Sequence, residues 1–332
     1  MVISMPIRKT SYLFIKVIIV LSTYSYIFYK IYFSKEIAQF NFSQFNFNQA
    51  KVIILIAVFL LMGTNWLLEA IKWKALVRNI KTINIIQSLY SVLAGISIGI
   101  FTPNRIGEFA GRPYFLDKDK IVSGIAAAVT GSFSQSLVTV FMGILAINFY
   151  LFSSDNRLSL NEVHIQAVLF FSIFLILIIA FAFFNPSFIL RFSKKTAFIK
   201  THEKELLFLA SYKLHELFYI LSLSFLRFLV FSFQFYLLLL FFGIDITAFH
   251  AFISIGMIYL FLFAIPGIAL SEIGVRGSLA IFFIGIYSTH FTAILSATIL
   301  LWIINLAIPA ISGSFIVLTK SFKKNTISKQ NN

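Results

Sequence analysis

The chain alternates long apolar runs with short basic connections, and the length of the runs decides the solvent. A bilayer core about 30 Å thick takes about 20 apolar residues in helix. Six stretches meet that length: 11–33, 52–68, 121–151, 163–184, 217–243 and 291–319. The second is the shortest, and its apolar face continues through Ala70, Ile71 and Trp73. Two further stretches are broken. Residues 85–101 are modestly apolar and stop at Thr102-Pro103-Asn104; residues 248–287 are apolar but interrupted by Pro266-Gly267 and then by Glu272 and Arg276. Proline lacks an N–H and clashes with the preceding turn, so Pro103 and Pro266 mark helix breaks.

Composition agrees with the pattern. Of 332 residues, 59% are hydrophobic and 12% are charged, against about 45–50% and about 25% in soluble domains. The formal net charge is nevertheless +15. Nucleic-acid binding needs a clustered basic face on a soluble surface, which this chain does not offer. Basic loops gathered on one side of a membrane account for the excess instead. Five segments, 1–10, 69–84, 102–120, 185–216 and 320–332, hold 20 of the 27 Lys and Arg. All five share the cytoplasmic side only if 85–101 enters from that side and returns to it. The same parity makes 248–287 a hairpin that starts and finishes outside, either re-entrant or as two crossings.

The expected fold is therefore an all-α polytopic transmembrane bundle, with six clear spans plus two broken, re-entrant elements entering from opposite faces. The domain reading is one integral membrane domain over 1–332. Residues 1–10 and the basic tail 320–332 would be cytoplasmic, and 11–319 would form the bundle in the cell (inner) membrane. The chain has no cysteine, which excludes disulfides and thiolate chemistry. Its five His are scattered without metal-ligand spacing, and neither a metal nor a cofactor is expected. No P-loop, nucleophile elbow or HExxH stands in the chain, so the usual signatures of nucleotide hydrolysis and hydrolase chemistry are missing.

The informative charges are those that topology does not need. After Pro103 come Arg105, Gly107, Glu108, Gly111 and Arg112. In a helix Glu108 and Arg112 are i, i+4 neighbours and pair, while the glycines allow close backbone approach. After Pro266-Gly267 come Glu272, Gly274 and Arg276, with the same four-residue spacing. A lone charge at mid-bilayer costs about 2.5–3.5 kcal/mol, so such groups persist when paired or facing water. A solvated loop is the plain alternative for the first group, and a purely structural ion pair for the second. Arg227 lies ten residues into its span; it either faces the bundle as a further candidate or snorkels to the interface. Asn65, Glu69 and Lys72 share a helical face, and a structural Glu69–Lys72 pair near the interface is the expectation there. Gln135, Asn148 and Asn305 read as interhelical hydrogen-bond partners, and Trp66, Trp73 and Trp302 as interface anchors or packing.

These motifs resemble a known family. The run from Leu93 to Asp117, with Pro103, Arg105, Gly107, Glu108 and Arg112, is similar to the central motif of the lysylphosphatidylglycerol synthase transmembrane region, also called the flippase-like family. Pro266 to Phe282, with Gly274-Val275-Arg276, resembles its C-terminal motif. Asn65-Trp66 and Lys72-Trp73 resemble a weaker motif at the end of the second span. Many members carry Glu directly after the Arg of the C-terminal motif; here Gly277 stands there, and the acid is Glu272. The resemblance implies a multi-span domain that, in the bifunctional members, moves an aminoacylated phospholipid between leaflets; relatives are associated with polyprenyl-linked or glycosylated lipids. No segment matches the soluble aminoacyl-transferase domain of the bifunctional members.

Residues and resemblance together give a non-enzymatic lipid transporter. Arg105, Arg112, Arg276 and Arg227 are the candidate contacts for a lipid phosphate, since a guanidinium fork matches phosphate bidentately. Glu108 and Glu272 would orient them. Pro103, Gly107, Pro266, Gly267 and Gly274 are the expected structural breaks. The partner is an anionic phospholipid or a lipid-linked glycan, not nucleic acid, with a homodimer left open. Two rivals remain: a membrane enzyme acting on a lipid phosphate with Glu108 or Glu272 as acid/base, and a scaffold for glycan or lipid assembly.

Overall fold

The structure, a computed structural model, describes Ser25, Tyr29 and residues 48–100, 102, 105–152, 162–186, 188, 202–265 and 269–330. The first apolar stretch, 11–33, lies almost wholly outside the described residues, as do Pro103, Pro266 and Gly267. Every regular element among the described residues is helical.

Five described helices are long and apolar enough to cross a membrane, spanning Gln49–Leu76, Lys118–Phe152, His164–Phe184, Leu214–Phe241 and Phe291–Thr319. They coincide with five of the six expected spans. In chain order, α1 is Gln49–Leu76, α2 Ile85–Gly99, α3 Gly107–Gly111, α4 Ile121–Phe152 and α5 Glu162–Phe184. They are followed by α6 (Leu214–Phe241), α7 (Ala248–Ala264), α8 (Ala269–Ile284), α9 (Phe291–Trp302) and α10 (Ile308–Gln330). A π-helical turn, Ile303–Ala307, joins α9 to α10. At 1.5 Å per residue α1 is about 42 Å long, whereas α2, α7 and α8 reach only about 22–26 Å.

Local chemistry sets the helix starts. The Asn48 side chain accepts from the Lys51 N–H at 2.9 Å to cap α1. Asn84 and Gln87 form a reciprocal capping box at the start of α2, with bonds of 2.8 and 3.2 Å, which satisfies two orphan donors at once. The Glu216 carboxylate accepts from the Lys213 N–H at 2.9 Å and closes the first turn of α6.

The short helices form two hairpins. α2 is followed by a reversal, and α3 packs back against it. Thr102 holds that reversal: its Oγ1 donates to the Gly99 carbonyl at 2.9 Å and accepts from the Gly107 N–H at 2.8 Å. The two arms of the hairpin touch through glycine. A Cβ on Gly107 would lie 2.7 Å from the Ile98 carbonyl oxygen, and one on Gly111 would lie 2.8 Å from Gly95 Cα. α7 and α8 also pack on each other. Both broken stretches of the sequence are thus helical hairpins.

Two apolar cores hold the bundle. One gathers Ala146, Phe235, Leu238, Ile255, Ile281 and Ile294 from α4, α6, α7, α8 and α9. The other gathers Trp73, Leu76, Val92, Ala127, Leu217 and Ala310 from α1, α2, α4, α6 and α10. The outside of the bundle is apolar as well: Phe170, Phe171, Ile173, Phe174 and Leu177 of α5 are all exposed. A contiguous exposed apolar surface of that kind is what a bilayer covers.

Candidate functional site

Between the two cores lies a polar cavity of about 290 Å³. Its apolar wall comes from Val92, Ile96 and Leu306 on one side and Leu301 and Phe231 on the other. Much of the remaining wall is polar or charged. Arg105, Glu108, Arg112, Arg227, Glu272 and Arg276, the six charged residues singled out from sequence, all line it. Residues as far apart as 105 and 276 therefore meet in one place.

The centre of the cluster is Glu69, which the sequence pattern paired only with Lys72. That pair forms, Lys72 Nζ to Glu69 Oε2 at 2.8 Å, but it is not isolated. Arg112 Nη1 donates to Glu69 Oε1 at 2.6 Å, and Arg227 Nη1 donates to Glu69 Oε2. One carboxylate that is 3% exposed thus receives three cations from α1, α6 and the residue that ends α3. Arg227 therefore faces the bundle and does not snorkel. Its Nε donates to Asn65 Oδ1 at 2.7 Å. Asn65 bonds Asn305 at 3.4 Å, and Asn305 in turn donates to Gln234 Oε1 at 2.8 Å. Asn305 is the interhelical partner that its position suggested. Gln135 also serves between helices, accepting from Lys72 at 3.5 Å and from Arg227 at 3.4 Å. Asn148, by contrast, donates to the carbonyl of Ile144 in its own helix.

The hairpins supply the rest. Glu108 pairs with Arg105 and, at 3.3 Å, with Arg112. Arg105 has φ of 57°. This left-handed conformation costs a non-glycine residue about 1–2 kcal/mol, and it sets Arg105 at the mouth of α3 beside Glu108. From the other hairpin, Arg276 Nη2 donates to Glu272 Oε1 at 2.6 Å. The Arg276 guanidinium carbon stands 5.7 Å from the ring centre of Tyr259 on α7, within cation–π range. Gly274 is buried on the same helix.

Asn305 reaches the cavity from the π turn. Pro309 follows four residues later and has no N–H to give the Asn305 carbonyl. An α-helical bond is impossible there, and a single widened turn results. Such turns recur at functional sites because they shift side-chain register.

The cavity carries more donor than acceptor capacity. Five cations face three carboxylates, a formal charge of +2. Five N–H groups of lining residues are buried without a protein acceptor: the Nε atoms of Arg105, Arg112 and Arg276, and the indole Nε1 atoms of Trp66 and Trp302. Buried donors are nearly always satisfied in native proteins, so such a surplus suits a ligand rich in oxygen acceptors.

The sequence model of the lysylphosphatidylglycerol synthase transmembrane region matches residues 13–313. No curated protein matches the chain. The match takes in α1 to α9 and both Arg/Glu hairpins, so the chain belongs to the lysylphosphatidylglycerol synthase transmembrane region family, membrane proteins tied to lipid metabolism or transport.

Proposed function

We propose that the protein is a lipid transporter of the flippase type, which passes an anionic lipid headgroup between leaflets through the central cavity while the acyl chains stay in the bilayer. The observation that carries this reading is a cation-rich, donor-rich cavity enclosed by helices whose outer faces are apolar. Arg105, Arg112, Arg227 and Arg276 would bind the lipid phosphate, and Glu108 and Glu272 would keep them aimed and prevent the phosphate from binding too tightly to leave. The cavity is large enough for about ten water molecules, which suits a hydrated phosphate. The basic-loop pattern favours the cell membrane with both termini cytoplasmic. The two hairpins would then enter from opposite faces.

Reconstitution tests the reading. Vesicles with the purified chain and acyl-labelled anionic phospholipid should move label between leaflets, with no new lipid species formed. Arg276→Gln should slow the movement. A new lipid species would favour a lipid-phosphate enzyme instead, and wild-type function in both Arg105→Gln and Arg276→Gln would favour a scaffold. Orientation is tested by single cysteines in this cysteine-free chain. Impermeant reagent from outside should reach position 161 and not position 193.

A further inference from the structure

We infer that the headgroup this cavity takes is a dianion, a phosphomonoester or diphosphate ester, and that a cationic aminoacylated lipid is rejected. This deepens the transport reading and rests on it. The argument is a charge count in a place where charge is costly. The cavity walls sum to +2 at formal charges, and the cavity sits between two apolar cores, where an unbalanced charge is poorly screened. A phosphodiester headgroup such as phosphatidylglycerol brings one negative charge and leaves +1. A phosphomonoester or a diphosphate brings about two and leaves the site neutral. A zwitterion changes nothing. An aminoacylated phosphatidylglycerol adds an ammonium to a site already in cation excess.

The carboxylates sharpen the point. An ammonium headgroup would need an acid to receive it, and each of the three acids is already ion-paired at the cavity wall. Donors dominate the unmet groups of the lining residues: three guanidinium Nε–H and two indole N–H stand against one acceptor, Glu108 Oε1, which is already ion-paired with Arg105. A dianionic phosphate offers three or more oxygens to such donors, and charge-assisted bonds to them are about twice as strong as neutral ones. Arg105, the most exposed of the cations at 38% of its side chain, stands where a headgroup would first meet this field.

The test uses the full chain in phosphatidylcholine vesicles. Five tail-labelled probes are compared: phosphatidic acid, a prenyl diphosphate, phosphatidylglycerol, phosphatidylcholine and lysyl-phosphatidylglycerol. The two dianions should cross at least about tenfold faster than phosphatidylglycerol, the ratio one further net ion pair of about 1.4 kcal/mol gives. Lysyl-phosphatidylglycerol and phosphatidylcholine should cross at the protein-free rate. Comparison of the first two probes separates a phosphomonoester from a diphosphate site. Arg105→Gln lowers the wall charge to +1 and should shrink the preference for dianions severalfold. Equal rates for phosphatidylglycerol and the dianions would overturn the inference, as would faster movement of the lysyl lipid. The same lipids are also ranked by thermal stabilisation of the protein in detergent. Preferential stabilisation by the dianions with no leaflet transfer would sink the transport reading and uphold the dianion site. Transfer without the ranking would do the reverse.

Discussion

The two hairpins carry the same Glu–Arg spacing and use it differently. On α3 and the turn after it, Arg112 gives its shorter bond, 2.6 Å, to Glu69 on α1 and keeps Glu108 at 3.3 Å. On α8, Arg276 gives its 2.6 Å bond to its own i−4 acid and rests its guanidinium near Tyr259 of the same hairpin. The first hairpin is thus tied by ion pairs to the long helices, while the ion pair of the second closes within α8, with Arg105 of the first hairpin as a further charge acting on Glu272. Moving α3 would break an ion pair with α1. Moving α7 and α8 together would carry the whole Glu272–Arg276 pair along. The first region is suited to be a fixed wall of the cavity, and the second to be the part whose position varies.

The largest test of that contrast is Glu69→Gln. It leaves Lys72, Arg112 and Arg227 converging on a neutral amide. Removing one partner of a buried charge group costs about 3–5 kcal/mol, because the remaining charges are left uncompensated. Thermal unfolding in detergent should show the largest drop of any single cavity substitution. A drop no larger than that of Glu272→Gln would mean that Glu69 is not the centre of the network.

A smaller effect separates the hairpins themselves. In Glu272→Gln the Arg276 guanidinium loses the carboxylate it pairs with and keeps the Tyr259 ring, at a cost of about 1.5–3 kcal/mol for a bond to a charged group. In Glu108→Gln, Arg112 keeps Glu69, and Arg105 is exposed enough to be hydrated. Glu108→Gln should therefore destabilise less than Glu272→Gln. Equal losses would show that Glu108 and Glu69 act as one unit and that the first hairpin is no better buttressed than the second.

Much of this contrast could be read from residues, and part could not. Five spans were legible because about 20 apolar residues in a row have one solution in a bilayer. Both hairpins were legible because Pro and Gly interrupt apolar runs at Thr102-Pro103-Asn104 and Pro266-Gly267. The convergence of Arg105, Glu108, Arg112, Arg227, Glu272 and Arg276 was inferred only in part, since it depends on packing between helices far apart in the chain. Glu69 was underestimated for a physical reason. A Glu–Lys pair three residues apart near the end of an apolar helix looks the same whether it faces headgroups or a cavity. The available signal was the polar face it shares with Asn65, one turn earlier. Pro309 was likewise a sign of the π turn at Asn305, but a proline in an apolar helix admits several outcomes.

The smallest expected effect lies outside the cavity and serves as its control. Asp117 stands before the span that begins at Lys118. Its carboxylate accepts from Lys81 at 2.9 Å and lies 3.6 Å from Lys120. The Lys81 hydrogen bond, helped by the charges of Lys81 and Lys120, holds the Asp117 carboxyl below the usual carboxylate range against the opposing effect of desolvation. A carboxyl with a lowered value in the fold contributes stability above its unfolded value, and that contribution fades as pH falls through the lowered one. Asp117→Asn should therefore be slightly less stable than the wild type at neutral pH and converge with it in acid. Exposed pairs are weak and screened by salt, so added salt should close the same gap. Lipid transfer should be unchanged, since Asp117 does not line the cavity. If Asp117→Asn instead slowed transfer as much as Arg276→Gln, the assay would be reading general damage to the fold, and the contrast between the two hairpins would lose its functional support.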